Sequence, residues 1–356
     1  MLMAEKMSYW ERAEAVARGK EVGVVPVVLH IYGMVLKRFG NVREYEYYQN
    51  VRLQLESRIM FQRRFPEVIN VMNGFPEYME GNGPIPTALG GEVKWMEDAP
   101  PYISKYPVSV PEDVDRIVEA GLPDTRAGVA AEILRRVEYF YEWFPKDLRE
   151  EYGYVDGVVC TGGVVEGVAL TMGYDKFFMW MRKYPEVLHK LLKFATDWQL
   201  KYCKAIEEIV GPCKLLFVPD HIPHMIGKEQ FREFVLPYLN KIFGNYKNAL
   251  RIWHNEGKTS HMIEEVDKIE AEVWHFGPME NIPKCIEKTH FCLMGNIHPP
   301  DFAKMSPEQV KSICEDIIAK TGAKRLWLST GGGMSPGTPF KNIDAMISVA
   351  KKYSRI

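Results

Sequence analysis

Eight short apolar runs recur along this chain, each followed by a segment with a helical pattern, and this alternation restricts the fold most. Near-continuous apolar runs are typical of strands buried on both faces, as in a parallel sheet. Strands that alternate with helices predict a (β/α)8 TIM barrel. The runs are VVPVVLH (24–30), EVINVMN (67–73), VDGVVCTGG (155–163), KLLFVPDH (214–221), ALRIWH (249–254), AEVWHFG (271–277), FCLMGNIH (291–298) and RLWLSTGGG (325–333).

The alternation is interrupted once, between the second and third runs. Residues 74–154 contain a Gly/Pro-rich stretch and two helical patterns, around 111–121 and 126–144. We interpret them as an insertion at the barrel mouth, within a single domain over 1–356 that begins with an N-terminal helix. A doubly wound open sheet is the alternative fold, and it would be favoured if a run proved helical; run 67–73 is the weakest strand.

The composition is that of a soluble globular protein, with 46% hydrophobic and 26% charged residues. The net charge of −2 gives no reason to expect a nucleic-acid or membrane-surface partner. No segment reaches the roughly 18 apolar residues of a membrane span, and the N-terminus lacks a signal-peptide core, so we expect a cytoplasmic protein. The six cysteines include no C-x-x-C pair, which predicts buried thiols.

Histidines cluster at the ends of the apolar runs. Because the C-terminal strand ends of a barrel form its active site, these imidazoles should share one rim. A single histidine there could simply bond backbone groups and water, but several that converge indicate a functional site. The five histidines that end or directly follow a run are His30, His221, His254, His275 and His298.

His254 and Glu256 lie two residues apart at the end of the fifth run, so both can project into the mouth. Asp220 holds the matching position one strand earlier. With His275 or His298, these groups could bind a divalent metal through nitrogen and oxygen atoms. They could equally supply a general acid and base without a metal.

A glycine-rich turn, STGGGMSPGTP (329–339), follows the last run. Loops after the last strands of barrels often bind phosphate, which makes a phosphate cradle one interpretation. The alternative is a tight turn that lets a large ligand approach the backbone, and this turn lacks the lysine of a P-loop.

The segments GNIHPP and TGGGMSPGTPFKNIDAM resemble the uroporphyrinogen decarboxylase superfamily, as do residues 162–192 and 226–243. The likeness is collinear over roughly residues 20–350 and implies the same barrel. One branch of that superfamily decarboxylates uroporphyrinogen without metal and holds its carboxylates with an Arg-Gln-Ala-Gly-Arg segment. This chain has PVVLHIYGMVLKRFG at that place, which speaks against decarboxylation because the guanidinium clamps are absent.

The other branch transfers methyl groups to or from the cobalt of a corrinoid carried by a partner protein. Its members hold zinc with a His-x-Cys pair and a later Cys in the glycine-rich turn. Here His254 and Glu256 align with the pair, and Gly332 occupies the late Cys position. A His/carboxylate set is harder than a thiolate set and favours oxygen ligands. The resemblance therefore points to members that demethylate a substrate, as in O-demethylase systems.

Together, the residues and the resemblance predict a corrinoid-dependent methyltransferase that moves a methyl group from a small donor to a corrinoid-binding partner protein. A methyl ether is one candidate donor. The predicted Zn²⁺ ligands are His254, Glu256 and His298. The predicted catalytic residues are Asp220, His221 and His275. The predicted substrate-binding residues are His30, Tyr32, Trp253, Asn296 and Gly332.

Two other functions are considered beside the methyltransferase. One is a metal-free decarboxylase in which Asp220 and the histidines transfer protons. The other is a non-catalytic barrel that binds a corrinoid or a tetrapyrrole. A homodimer is an expectation that the resemblance supplies.

Overall fold

Each of the eight apolar runs contains a strand in the computed structural model, which describes residues 7–79, 83–152 and 156–354. Run 67–73, the weakest prediction, forms β2. The strands are β1 Val27–Leu29, β2 Val68–Asn70, β3 Glu92–Lys94, β4 Tyr102–Lys105, β5 Val158–Cys160, β6 Leu215–Pro219, β7 Leu250–Asn255, β8 Val273–Phe276, β9 Cys292–Ile297 and β10 Leu326–Thr330.

Eight strands form one parallel sheet in the order β2-β1-β10-β9-β8-β7-β6-β5. β1 and β7 stand four places apart in this order. The ring of His30, directly after β1, nevertheless lies 5.4 Å from the ring of His254 on β7. A flat sheet could not bring these side chains together, so the sheet curls around a common axis. The predicted (β/α)8 barrel is confirmed, and the open sheet is wrong.

Helices follow the strands, and several have the terminal residues that helices require. The helix Pro307–Thr321 begins after Ser306, whose side chain accepts from the Gln309 N–H, and it ends at Gly322, which is left-handed (φ 62°). The α-helices are Tyr9–Ala17, Gly33–Leu36, Glu44–Gln49, Val51–Arg64, Pro84–Ala88, Pro111–Glu119, Ala130–Trp143, Lys146–Tyr152, Val164–Met172, Tyr174–Lys183, Pro185–Val210, Lys228–Gln230, Leu236–Gly244, Ile263–Val266, Ile282–Lys288, Pro299–Lys304, Pro307–Thr321 and Phe340–Tyr353.

Four shorter helical turns complete the elements. Lys37–Phe39, Ile222–Met225 and Ser260–Met262 are 3-10 turns, and Phe231–Val235 is a π-helical turn. The N-terminal helix packs through Trp10 on Trp327 of β10, whose indole N–H donates to the Ala13 carbonyl at 2.9 Å. Among the described helices, none combines the length and the apolar character needed to cross a membrane.

Residues 74–154 form an antiparallel hairpin, β3 and β4, together with four of the helices. Glu77, Met79, Pro100 and Pro101 from this segment line the cavity at the strand ends. These residues of the segment thus lie at the barrel mouth, while the single domain over 1–356 stays a prediction.

Strand alternation assigns the barrel side chains to two layers. His254 is paired in register with Pro219 of β6 and His275 of β8, so these three share the inner face. Trp253 and Trp274, one residue earlier, point to the opposite face, where their rings stack 5.5 Å apart and are fully buried. The inward-facing side chains near the C-terminal ends of β7 and β8 are therefore two histidines, His254 and His275.

Candidate metal centre at the barrel mouth

A cavity of about 1100 Å³ opens at the C-terminal ends of the strands. Each of the eight barrel strands contributes a residue on it or just after it, and the insertion contributes more. This volume exceeds what a small ligand alone needs and leaves room for part of a larger one. The sequence-predicted residues that line it are His30, Tyr32, His221, His254, Glu256 and His298.

His221, His254 and Glu256 form the group best suited to hold a cation. One donor atom of each lies within 4.8 Å of the others. The Nε2 atom of His254 is 3.4 Å from a carboxylate oxygen of Glu256. Two ligands of a tetrahedral zinc at about 2.0–2.1 Å would lie roughly 3.3 Å apart, so this spacing suits a shared ion.

His254 is held from behind by His275. Their Nδ1 atoms are 2.8 Å apart, and the Nε2 atom of His275 is 3.1 Å from the Thr330 carbonyl oxygen. Burial lowers the pKa of His254 well below its usual value and that of His275 to about 3, so both rings are neutral. If His275 donates from Nε2 to Thr330, His254 donates from Nδ1 to His275, which leaves Nε2 of His254 unprotonated.

The Gly332 N–H also lies 3.1 Å from Nε2 of His275, and it would suit the other tautomer of His275, in which Nε2 accepts. Only the first tautomer, in which Nε2 of His275 donates to Thr330, leaves Nε2 of His254 unprotonated and able to bind a cation beside Glu256. The structure thus places the predicted catalytic residue His275 behind His254 rather than in the cavity wall.

His221 is held in a parallel way by Glu166, which lies in the first turn of the helix Val164–Met172. Glu166 accepts from the backbone N–H of His221 at 2.8 Å and contacts its Nδ1 at 2.9 Å, and it accepts from the Tyr174 hydroxyl at 3.1 Å. With Nδ1 engaged, Nε2 of His221 remains to donate to a substrate, or to bind a cation once its proton is released.

The charges of this pair stabilise each other. Burial opposes ionisation of His221, but the hydrogen bond and charge of Glu166 outweigh it and raise the pKa of His221 to about 9. Burial likewise favours neutral Glu166, yet His221 keeps the pKa of that carboxyl below its usual value. Sequence reasoning missed Glu166. The available signal was a single carboxylate within the apolar stretch GGVVEGVALTM.

Asp220 lies outside the cavity lining, contrary to its predicted place in the mouth. Its carboxyl is fully buried and packs so closely on Gly163 that a Cβ there would overlap it. Burial and the charge of Glu166 raise the pKa of Asp220 well above its usual value, which favours a neutral acid. Pro219 of β6, the register partner of His254, faces the cavity, so strand alternation turns Asp220 to the opposite face and brings His221 to the cavity.

His298, the predicted third metal ligand, lies at the rim. Its side chain is 48% exposed, and its Nδ1 atom is 3.0 Å from Asp301. It belongs to neither group of three donors found among the described residues. β9 ends at Ile297 and a helix begins at Pro299, so the chain turns before this side chain can point inward. The structure replaces His298 by His221 in the candidate metal shell.

Three predicted substrate-binding residues are absent from the cavity lining, namely Trp253, Asn296 and Gly332. Trp253 is fully buried on the outer face of β7, because its neighbour His254 points inward. The side-chain amide of Asn296 donates to the Gly277 and Glu280 carbonyls at 3.2 and 3.3 Å, which ties β9 to the loop after β8.

His30 and Tyr32 do line the cavity. The rings of His30 and Tyr32 are 5.4 Å apart. Burial and the charge of Glu256 raise the pKa of Tyr32 to about 12, so its hydroxyl keeps its proton at neutral pH. His30 also forms a second donor group with His254 and His275. The 2.8 Å contact between the latter two is shorter than the roughly 3.3 Å between two ligands of one zinc ion, which favours the group with Glu256.

The glycine-rich turn uses its backbone amides internally. The Gly331 N–H donates to the Ile297 carbonyl and that of Met334 to the His30 carbonyl. These two N–H groups are therefore not free for a phosphate, which favours the tight-turn interpretation. A Cβ on Gly333 would overlap the Tyr32 ring, which shows how closely the turn approaches the cavity wall.

Gly332 stands directly beside Glu256. A Cβ built on Gly332 would overlap a carboxylate oxygen of Glu256, and the residue has a φ of +125°, which side chains rarely adopt. Glu256 thus occupies the space into which a side chain at 332 would point. One carboxylate stands where the resemblance leads us to expect two thiolates.

We expect Gly332→Ala to lower the free energy of unfolding by about 3 kcal/mol, from backbone strain and overlap with Glu256. Gly337→Ala in the same loop is the matched control. Its φ is +73°, but no atom lies within 4 Å of the added Cβ, so we expect only about 1 kcal/mol. Urea titration of both variants measures the difference. Equal losses, or no recovery when Glu256→Ala is added to Gly332→Ala, would show that the two residues do not compete for space.

Comparison with known proteins agrees with the barrel fold. The sequence profile of the uroporphyrinogen decarboxylase (URO-D) family matches residues 9–353. A uroporphyrinogen decarboxylase of Schizosaccharomyces pombe is 26% identical over 250 residues, which span 66% of this chain and 64% of that enzyme. The methylcobamide:CoM methyltransferase MtbA of Methanosarcina mazei is 24% identical over 258 residues, or 71% of this chain and 72% of that enzyme.

A solved structure shares the fold over almost the whole length. It is a methyltransferase from Methanosarcina mazei, with a TM-score of 0.79 and 18% identity over 98% of this chain and 99% of that one. The relatives thus include both decarboxylases and methyltransferases. Because the family profile covers nearly every residue, the chain belongs to the uroporphyrinogen decarboxylase (URO-D) family.

Proposed function

We propose that the chain is a corrinoid-dependent methyltransferase that binds Zn²⁺ through His254, Glu256 and His221. The observation that carries this proposal is the arrangement of two imidazoles, each held from behind by a buried partner, beside one carboxylate at an open cavity. Buried partners of this kind orient metal-binding histidines in many proteins.

The donor atoms fit zinc. Two imidazoles and a carboxylate are ligands that zinc accepts, and three protein ligands leave a position open for substrate. Bound Zn²⁺ would polarise the oxygen to which the methyl group of the donor is attached. The residues of the chain then have separate tasks. His254 and Glu256 hold the ion, and the protonated hydroxyl of Tyr32 can donate a hydrogen bond to the leaving oxygen.

The acceptor of the methyl group would be a corrinoid carried by a partner protein, which would supply the electron pair for the new bond. The electron pair of the carbon–oxygen bond would stay with the oxygen, which would take up a proton. A corrinoid-binding protein as partner is suggested by the similarity to a methylcobamide:CoM methyltransferase. We also propose a cytoplasmic location and a homodimer, with no nucleic-acid partner.

Decarboxylation of uroporphyrinogen is the alternative, because relatives with that activity exist. Such a substrate carries many carboxylates and needs cationic partners. Among the described residues that line the cavity, none is a lysine or an arginine. His221, whose pKa is raised, is a cation there, but a single imidazolium does not pair the many carboxylates of such a substrate, so the cavity still favours methyl transfer.

Purified protein loaded with zinc tests the proposal when it is mixed with cob(I)alamin and a panel of methyl donors. The panel should include an aryl methyl ether, a methylated thiol and a methylated amine. We expect methylcobalamin to form from at least one donor, and Glu256→Ala to lower the rate by at least about 100-fold. An undiminished rate after removal of metal would contradict the role of zinc. Release of CO2 from uroporphyrinogen without any methyl transfer would favour the decarboxylase.

A further inference from the structure

The proposed metal ligands come from the ends of two neighbouring parallel strands. His221 follows β6, and His254 and Glu256 lie at the end of β7. Backbone pairing between these strand ends reaches the Asp220 N–H, which donates to the His254 carbonyl at 3.0 Å. His221 and Glu256 each come after this bond in their own segment. Their separation therefore depends on what holds the two strand ends together.

The side chain of Asn255 links these strand ends. Its Nδ2 atom donates to the Asp220 carbonyl at 2.7 Å, and its Oδ1 atom accepts from the Gly257 N–H at 3.1 Å. A flipped amide would place oxygen against the carbonyl and NH2 against the N–H, so only the observed orientation satisfies both partners. Asn255 is fully buried, and because His254 points inward, its side chain lies on the outer face of β7.

The bond to the Gly257 N–H fixes the backbone at Glu256. An asparagine that accepts from the N–H two residues later forms an Asx turn, and Glu256 is the residue enclosed by it. This turn has little room to move. A Cβ built on Gly257 would overlap the His224 ring. A Cβ built on Gly277 would overlap the Glu256 carbonyl. The direction in which the Glu256 side chain leaves the strand is thus set by the turn.

We propose, on the basis of the proposed function, that Asn255 is a positioning residue that fixes the separation of His221 from Glu256. One of its bonds holds the carbonyl of the residue before His221, and the other holds the N–H of the residue after Glu256. Asn255 itself contacts neither ion nor substrate, because its side chain lies on the far side of the strand. Buried partners that orient ligands in this way typically account for about 10- to 100-fold in metal affinity.

Asn255→Leu removes both bonds and fills a similar volume. We expect this variant to bind Zn²⁺ at least about tenfold more weakly than wild type in competition with a chromophoric chelator. Co²⁺ in place of zinc gives a visible absorption spectrum that reports ligand geometry, and we expect its bands to shift. Asn255→Ser, whose hydroxyl is too short to reach both partners, should change both readouts in the same direction and serves if the leucine variant does not fold. Wild-type affinity together with a wild-type Co²⁺ spectrum would overturn the inference.

Asn342→Leu is the matched control. Asn342 is also fully buried, and its amide donates to the Phe302 and Met305 carbonyls at 2.7 and 3.0 Å. It belongs neither to the cavity lining nor to a donor group. We expect this variant, like Asn255→Leu, to unfold at a lower temperature, but with unchanged zinc affinity and an unchanged Co²⁺ spectrum. An equal loss of zinc affinity in both variants would show that Asn255 acts through stability alone and would overturn the inference.

The result separates this inference from the proposed function. If wild type binds zinc and the Asn255 variants bind it equally well, the positioning role fails and the metal centre stands. If the variants lose affinity as expected but no donor methylates cob(I)alamin, the positioning role stands and the methyltransferase fails. If wild type retains neither zinc nor Co²⁺, the metal centre and the positioning role fail together.

Discussion

His254→Ala protein will bind zinc at least about 1000-fold more weakly than wild type and will show no measurable methyl transfer. Loss of a residue that only orients a ligand typically costs 10- to 100-fold in metal affinity, and loss of the ligand itself should cost more. His254 is also the residue that the two donor groups share, so its removal disables both. Competition with a chromophoric chelator measures the affinity.

His298→Ala is the matched control for this experiment. Sequence reasoning made His298 a zinc ligand, whereas the structure places it at the rim beside Asp301. We expect its removal to change zinc affinity by less than about threefold, and His221→Ala to weaken it by at least about 100-fold. If His298→Ala weakens zinc binding more than His221→Ala does, His298 and not His221 is the third ligand, as the sequence predicted. His254 is only 3% exposed, so its replacement by alanine also removes buried packing. A thermal unfolding curve and the variant His254→Asn distinguish loss of the metal from loss of the fold.

Glu166→Gln should weaken zinc binding by about 10- to 100-fold, although Glu166 is not itself one of the proposed ligands. Glutamine lacks the charge that holds His221, so the imidazole loses its orientation. Tyr174→Phe removes one hydroxyl from the same carboxylate, at 3.1 Å, and should cost less than about threefold. If Glu166→Gln leaves zinc affinity unchanged, Glu166 does not orient His221.

The same variant should change how the stability of the metal-free protein depends on pH. The pKa of His221 in the folded protein is about 9, above the roughly 6.5 of an unfolded histidine. Its contribution is therefore fully present below about pH 6.5 and is lost as the pH rises to about 9. We expect wild type to lose roughly 2 kcal/mol of unfolding free energy across this range, and Glu166→Gln to lose much less.

Asp220 acts in the same direction. Its raised pKa keeps a proton on the folded protein after the unfolded chain has released its own, so stability also falls as pH rises. Removing the charge of Glu166 moves the pKa of Asp220 back toward its usual value. Both effects reduce the slope in the variant. Parallel pH profiles for wild type and Glu166→Gln would contradict the geometry of this cluster.

The barrel could be predicted from the sequence because parallel strands that are buried on both faces appear in the sequence as continuous apolar runs. The approach of His254 to Glu256 could be predicted for a similar reason, since strand alternation places residues two apart on one side. The same rule, applied consistently, excludes Trp253 from the cavity because its neighbour points inward. Alternation alone therefore contradicts the prediction that Trp253 binds substrate.

The rest of the site depends on strand register and on helix packing. Asp220 lies outside the cavity because Pro219, and not Asp220, pairs with His254, so alternation directs His221 inward instead. Glu166 comes from a helix 55 residues before His221, and no spacing rule connects the two. Such contacts follow from how helices pack over the barrel, which one sequence does not specify.

The relation between Glu256 and Gly332 also became interpretable only in three dimensions. The resemblance places Glu256 and Gly332 at the two positions where the family has cysteines. In the structure they are coupled, because the carboxylate of Glu256 occupies the space that a side chain at 332 would need. The two positions thus define one alternative ligand arrangement, with oxygen in place of sulfur.

X-ray absorption at the zinc edge of the loaded protein tests this arrangement most directly. With His221, His254 and Glu256 as ligands, all scatterers in the first shell should be nitrogen or oxygen at about 2.0–2.2 Å. Cys160 is the one cysteine among the described residues that line the cavity, and it belongs to neither donor group. A sulfur shell at about 2.3 Å, or a protein that retains no zinc, would contradict the proposed centre.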